Sequence, residues 1–279
     1  MKKQKSLPPD RQRVLEKIAE YEKKGGEYFF MDVEDDPPEK ELAPSDVDYL
    51  HKSFAFKWHG FWARLVEQIC KLHYKRKFHM VVTGKEHLEG VDRGAVFTSN
   101  HFSMYENIAV KLASESVRGQ KKRLYKLVRQ GNYSIPGFIG WLLRYCDTLP
   151  LSSSPATMKQ LNKAVAEILK RGDHLLIYPE QSMWWNYEKP RPYMIGAFYF
   201  AAKNGVPTVP CFVTQHRKPD SRRQPPFDRE YHMHILEPIF PDPALTVRQN
   251  AERMMEENYR QTKELYERVY RKPLRYGEE

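Results

Sequence analysis

Apolar and polar positions alternate along this chain with two different periods. Trp58, Phe61, Trp62, Leu65, Val66 and Ile69 fall at i, i+3, i+4, i+7, i+8 and i+11, which predicts a helix with one wide apolar stripe over 51–77. From Phe78 onward, short apolar runs bounded by turn residues predict strands at 78–84, 95–99, 174–178, 206–213 and 230–239. Helical stretches separate them. Ser154-Pro155 opens one whose stripe is Met158, Leu161, Val165 and Ile168; Tyr193 to Lys203 reads as a second, closed by Asn204-Gly205. A long helix, Val247 to Tyr270, follows the last strand. Such alternation predicts an α/β fold: a mainly parallel sheet flanked by helices, with an N-terminal amphipathic helix and a C-terminal helix.

The first fifty residues differ. Arg11 to Lys24 reads as a short helix with Asp10 as a candidate N-cap, and an acidic, Pro-rich segment follows it. The expected organisation is therefore a charged extension (1–50), a basic amphipathic helix (51–77) and an α/β domain (78–279).

Charge sharpens this division. The chain has 279 residues with 46 Lys+Arg against 36 Asp+Glu, a net +10. Residues 1–50 hold 9 Lys+Arg and 13 Asp+Glu, a net −4, so the remainder carries +14. A basic protein can seek nucleic acid, an anionic membrane or a phosphorylated substrate, and composition does not choose among them. The amphipathic helix carries Lys57, Arg64, Lys71, Lys75, Arg76 and Lys77 against one acid, Glu67. Its stripe either packs on the protein's own core or lies in a membrane interface with Trp58, Phe61, Trp62 and Leu65 as anchors. The run 118–129 is basic, acid-free and helix-like.

Composition excludes other classes. Apolar residues at 41% and aromatics at 13% argue against disorder throughout. With a mean hydropathy of −0.73 and no apolar run near ~18 residues, a spanning helix is not expected. The basic start is followed by no apolar stretch, so no secretory signal is expected. Cys70, Cys146 and Cys211 are far apart, which fits free thiols in a reducing compartment.

In a mainly parallel sheet, ligands sit at the carboxyl ends of strands. After strand 95–99 come Asn100-His101 and, five residues on, Glu106. On a regular helix that spacing would place the side chains ~140° apart. They meet only if His101 lies in the strand-to-helix turn and Glu106 in the first helical turn. A carboxylate there could fix the imidazole tautomer and leave the other nitrogen as a base. After strand 174–178 come Pro179-Glu180-Gln181-Ser182 and then Trp184-Trp185. An unpaired carboxylate is costly to bury, so Glu180 is expected to face solvent or a ligand.

These two sites, in this order, resemble the signatures of the glycerolipid acyltransferase family of the lysophosphatidate (1-acylglycerol-3-phosphate) type. NHFSMYE matches the first signature, YPEQSM part of the third, and MIGAFYFAAKNGVPTVP the helix and strand beyond it. A weaker second signature is VRQGNYSIPGFIGWLLRYCDTLPLS, and the resemblance runs from Phe78 to Val213. It implies transfer of a fatty acyl chain from acyl-CoA, acyl carrier protein or acyl phosphate to a hydroxyl of a lysophospholipid or glycolipid. His101 would be the general base and Glu106 its orienting acid. Asn100, Arg129, Glu180, Gln181, Ser182, Lys189 and Arg191 would serve substrate binding, with oxyanion donors from the backbone near Gln181 and Ser182. No cofactor or metal is implied. Expected partners are a membrane phospholipid surface and acyl carrier protein, not nucleic acid; the expected location is cytoplasmic, peripheral to the inner face of the cell membrane.

Three departures stand out. Gln181 replaces the family's Gly, Met183 replaces the Arg that holds the acceptor's phosphate, and no Arg closes the second signature. Lys189, Arg191, Arg129 and Lys126 are the candidate substitutes, or else the acceptor has no phosphate. Trp184, Trp185 and Tyr187 could line an aromatic acceptor pocket or pack internally. His232 and His234 share a strand face without an evident third metal ligand. The rival class is a non-enzymatic basic protein on the same fold, binding a membrane surface or nucleic acid.

Overall fold

Strand β2 (Ala95–Thr98) is buried along its whole length, and the rest of the fold is arranged around it. The computed structural model describes residues 7–35, 40–117, 122–218 and 228–277. A seven-stranded sheet runs in the order β1-β7-β6-β2-β5-β3-β4, with β1 Val81–Thr83, β3 Leu124–Val128, β4 Thr148–Pro150, β5 His174–Ile177, β6 Thr208–Arg217 and β7 Arg229–Ile235. All neighbours pair in parallel except β6 and β7. The helices are α1 Pro9–Lys24, α2 Phe54–Lys77, α3 Glu106–Ser114, α4 Gly137–Tyr145, α5 Pro155–Lys170, α6 Gly196–Lys203 and α7 Val247–Tyr270.

Alternating residues of the central strands feed two cores. Val96, Leu175 and Ile177 meet Leu161, Val165 and Ile168 of α5, Phe198 of α6 and Met254 of α7. Ala95, Phe97 and Leu176 meet Ile108, Ala109 and Ala113 of α3 on the opposite face. Helices thus cover both faces, as a parallel sheet requires. α5 begins where Ser154 accepts from the Thr157 N–H with Pro155 at the first position, and α7 opens with a Thr246–Gln249 capping box.

Two expectations change. Within the basic run, 124–128 is a strand rather than a helix, because Leu124 and Tyr125 are drawn into the sheet between β5 and β4; residues 118–121 lie outside the described ones. Helix α1 starts at Pro9, so Asp10 sits in its first turn and does not cap it. The N-terminal segment also has a core of its own. Val14, Ile18, Phe29 and Val33 bury Trp184, and Tyr49 donates to the Pro150 carbonyl at 2.8 Å.

Helix α2 is oriented opposite to the usual amphipathic arrangement. Its inner side is small or charged: Gly60, Ala63 and Glu67 are buried. Trp58, Phe61, Trp62, Leu65, Ile69 and Leu72 all face outward, between 43% and 61% exposed. The inward charge is matched. Glu67 is bonded by Lys126 at 2.5 Å and also by Lys111. Burial alone would raise the Glu67 carboxyl, but the two ammonium groups outweigh it and bring its pKa down to about 2. Lys126 is therefore spent on α2 and does not serve as a phosphate ligand. α4 lies beside α2, with Trp141 Nε1 donating to His59 Nδ1 at 3.2 Å, and adds exposed Phe138 and Ile139. Among the described residues no helix is long and apolar enough to cross a membrane.

The Glu67 triad sets a pH dependence. Its folded pKa lies below the ordinary carboxyl value of 4.5, so its stabilisation is complete above about pH 4.5 and fades as pH falls toward 2. Glu67→Gln is expected to cost on the order of 3 kcal/mol at neutral pH, with the gap to the parent narrowing at acid pH. Urea denaturation of both proteins at pH 7 and pH 3.5 checks this; an equal gap at both would remove the triad from the acid response.

Candidate active site

The carboxyl ends of β2 and β5 are neighbours in register, Thr98 beside Ile177. The turns that follow them therefore lie side by side. Asn100 fixes the first turn to β6: its amide donates to the Val213 carbonyl at 3.0 Å and accepts from the Val213 N–H at 2.9 Å. The side chain thus extends the ladder where the backbone leaves it. At 2% exposure it holds the turn, and the expected substrate contact is corrected accordingly.

His101 occupies that turn and Glu106 is the first residue of α3. The five-residue spacing closes as the turn geometry requires, with His101 Nδ1 2.5 Å from Glu106 Oε1. The Glu106 side chain is fully buried, while His101 keeps 22% of its side chain exposed. A carboxylate at Nδ1 selects the tautomer in which Nε2 carries the free lone pair. A helix N-terminus also favours a negative charge at this position.

Tyr178, at the end of β5, lies flat on the imidazole, with ring centroids 3.9 Å apart and planes 9° apart. Its hydroxyl and Glu106 Oε2 are both buried without a partner in strict hydrogen-bond geometry. Burial first, and then the neighbouring Glu106 carboxylate, push the phenol well above its ordinary pKa, so it stays neutral. The sequence reading passed over Tyr178. The available signal was its place immediately before Pro179-Glu180.

Glu180 is not exposed, and the expectation that it faces solvent or a ligand is corrected. It is 2% exposed and bridges the two turns. Oε2 accepts from the His101 N–H at 3.1 Å and from Arg191 Nη2 at 3.1 Å, and Oε1 accepts from the Arg191 N–H at 3.0 Å. The desolvation cost is met by a fully buried guanidinium. Arg191 also donates to the Phe29 carbonyl at 2.6 Å, to Ser182 Oγ at 3.1 Å and to the Ser182 carbonyl, and stacks 4.5 Å over Trp184. All of this lies inside the protein. Arg191 and Ser182 are structural, and neither is presented to a substrate's phosphate.

The other candidate cations are also paired. Arg129 Nη1 meets Asp32 Oδ2 at 2.7 Å, and Lys189 is bonded to Glu22. Trp184 is wholly buried and its indole N–H donates to the Met31 carbonyl at 3.1 Å, so it packs internally and does not line an acceptor pocket. Tyr187 packs on it edge-on. Gln181 is the exposed member of the turn and holds a left-handed φ of 64°, where its family counterpart is Gly. Its N–H goes to the Tyr178 carbonyl at 3.1 Å and the Ser182 N–H to the Glu180 carbonyl at 2.9 Å. The two expected backbone oxyanion donors are thus engaged within the turn, and the Gln181 side-chain amide remains at the surface.

The remaining candidates stand apart from this site. His216 joins His232, ring centroids 4.3 Å apart, while His234 is bonded to Thr214 at 3.0 Å and Thr83 at 3.2 Å. Among the described residues, no three His, Cys, Asp or Glu side chains come together in a metal-binding arrangement. Cys146 and Cys211 are buried, and burial raises the Cys146 thiol to about 12, which keeps it protonated.

Comparison with known proteins follows the same residues. A family model described as Acyltransferase matches residues 79–214. The chain is 27% identical over 162 residues to the 1-acyl-sn-glycerol-3-phosphate acyltransferase BAT2, chloroplastic, of Brassica napus; the match covers 58% of this chain and 44% of that protein. The chain thus spans less than half the length of the curated relative it matches. Its fold is similar to that in the crystal structure of the 1-acyl-sn-glycerophosphate (LPA) acyltransferase PlsC from Thermotoga maritima. There the TM-score is 0.50 and the identity 17%, covering 95% of this chain and 100% of that one. Residues 79–214, with the Asn100–Glu106 and Tyr178–Met183 signatures on adjacent strand ends, thus match the Acyltransferase family model and are similar to an acyltransferase of the 1-acyl-sn-glycerol-3-phosphate type.

Proposed function

We propose that the protein is an O-acyltransferase that moves a fatty acyl chain from an acyl carrier (acyl-CoA, acyl carrier protein or acyl phosphate) to a hydroxyl of a lysophospholipid or glycolipid. The observation that carries this reading is the 2.5 Å contact between His101 Nδ1 and a fully buried Glu106. Nε2 is left as the base. It takes the acceptor's proton as the hydroxyl oxygen attacks the acyl carbonyl; the new ester C–O bond forms and the bond to the carrier breaks. The proton on the imidazolium then goes to the departing thiolate or phosphate. Glu106 steadies the positive ring while it carries that proton. Glu180 acts one layer out, holding the His101 backbone against the β5 turn. The Gln181 amide is a candidate donor to the developing oxyanion, since its exposed side chain belongs to the turn beside His101.

The outward stripe of α2 supports attachment to a membrane. Trp58, Phe61, Trp62, Leu65 and Ile69 are exposed together, Phe138 and Ile139 of α4 lie on the neighbouring helix, and Lys75, Arg76 and Lys77 close the helix. Indole rings at headgroup depth with basic residues beside them suit an anionic lipid surface. We infer a peripheral protein on the cytoplasmic face of the cell membrane, where a long-chain acceptor is at hand.

Three outcomes test this reading. His101→Ala is expected to lower acyl transfer to a lysolipid by ~10³-fold with unchanged thermal unfolding; wild-type turnover in that variant would sink the mechanism. Glu106→Gln should reduce kcat by ~10²-fold or more while acceptor KM moves little, because its role grows as the imidazolium forms. A doubly substituted Trp58→Ser, Trp62→Ser protein should lose most of its flotation with phosphatidylglycerol vesicles. Undiminished flotation would reject α2 as the attachment face.

A further inference from the structure

The family's phosphate ligand is missing at Met183, and each cation expected to replace it is satisfied from within. Arg191 is taken by Glu180 and Lys189 by Glu22. Arg129 is the one that directly follows a strand of the sheet, at the carboxyl end of β3. The neighbour of β3, β5, is followed by the turn that carries Glu180. In the strand order β2-β5-β3, the two strands that precede His101 and Arg129 are two spacings apart, about 10 Å.

The anion on Arg129 is supplied by the acidic N-terminal segment. Asp32 Oδ2 lies 2.7 Å from Arg129 Nη1, and both side chains are about two-fifths exposed. This carboxylate is held in place by its neighbours. Met31, one residue before it, accepts at its carbonyl from Ser182 Oγ at 3.0 Å and from Trp184 Nε1 at 3.1 Å, and Phe29 accepts from Arg191. Glu34, two residues on, is paired with Arg11. The segment 29–34 is therefore bonded to the third-signature loop, with Asp32 against Arg129. A half-exposed ion pair contributes little to stability. Its effect on specificity is larger, because a carboxylate beside the acceptor subsite repels a phosphate dianion and leaves an uncharged headgroup unpenalised. A carboxylate can also accept two hydroxyl donors.

We propose that Asp32 is a specificity-determining residue: it occupies the Arg129 guanidinium in place of a substrate phosphate, so that the acceptor hydroxyl belongs to an uncharged, hydroxyl-rich lipid headgroup and not to a phosphate monoester. This rests on the acyltransferase reading above and narrows it. A lysoglycolipid bearing one sugar fits the arrangement, with its free hydroxyl at His101 Nε2 and its sugar hydroxyls on the Asp32–Arg129 pair. The excess of acids in residues 1–50 then has a task at the site.

The test uses the full chain with palmitoyl-CoA and, separately, palmitoyl–acyl carrier protein as donors. The acceptors are 1-palmitoyl lysophosphatidate and a 1-palmitoyl glucosylglycerol. The parent protein should show the higher kcat/KM on the glucosylglycerol. Asp32→Asn should shift the ratio of the two kcat/KM values toward lysophosphatidate by about tenfold, the scale of removing one charge a few ångströms from a dianion near a protein surface. Matched thermal unfolding of parent and variant keeps the comparison free of folding effects. A parent that prefers lysophosphatidate, or a ratio unmoved by Asp32→Asn, overturns the proposal and leaves the acyltransferase reading standing provided the transfer depends on His101. Transfer to neither acceptor from either of these donors or from palmitoyl phosphate overturns both.

Discussion

The Glu180 carboxylate is the contact on which the site depends. A buried anion needs partners for its lone pairs, and this one has three N–H groups from two places in the chain. One is the backbone of His101, at the end of β2; the others belong to Arg191, beyond the β5 turn. Satisfying one charge therefore fixes the position of the base relative to the loop that faces it. The guanidinium extends the same network to Phe29, so the N-terminal segment is tied in as well. The His101–Glu106 contact adjoins this network, with Tyr178 stacked on one face of the imidazole.

Charge is handled by the same logic across the molecule. The catalytic part is strongly basic, yet several of its inward cations meet a specific acid: Arg191 with Glu180, Lys111 and Lys126 with Glu67, Lys189 with Glu22. The acidic N-terminal extension is complementary to the basic domain, with Asp32 on Arg129 and Glu22 on Lys189. The α2 helix follows from the same constraint. Once Glu67 is committed to two partly buried lysines and Gly60 and Ala63 allow close approach, the bulky residues of the helix are left on the outside.

Much of the scaffold was legible along the chain. The alternation of short apolar runs with capped helices fixed a mainly parallel α/β fold, because each period reports which faces a segment must bury. The Asn-His spacing to Glu106 was legible as well, together with the condition for its closure. The basic run misled at residues 124–128, because a strand buried in a sheet interior and a short helical run cannot be told apart by composition. Glu180, Asn100 and Arg191 were expected at the ligand. The rule that buried charge is costly predicts exposure only when no partner is at hand, and the partners here are 79, 113 and 11 residues away.

The sequence alone determined which residues can do chemistry at the strand ends and which helix carries an aromatic stripe, because periodicity and turn chemistry are local properties. Only the tertiary structure decided which acids the candidate cations meet, which way the α2 stripe faces and where the acidic extension docks. Each of these depends on a pairing between residues far apart in the chain. Arg129 and Asp32 illustrate the reason: 97 residues separate them, and their 2.7 Å contact exists only because the sheet and the N-terminal segment bring both to one edge.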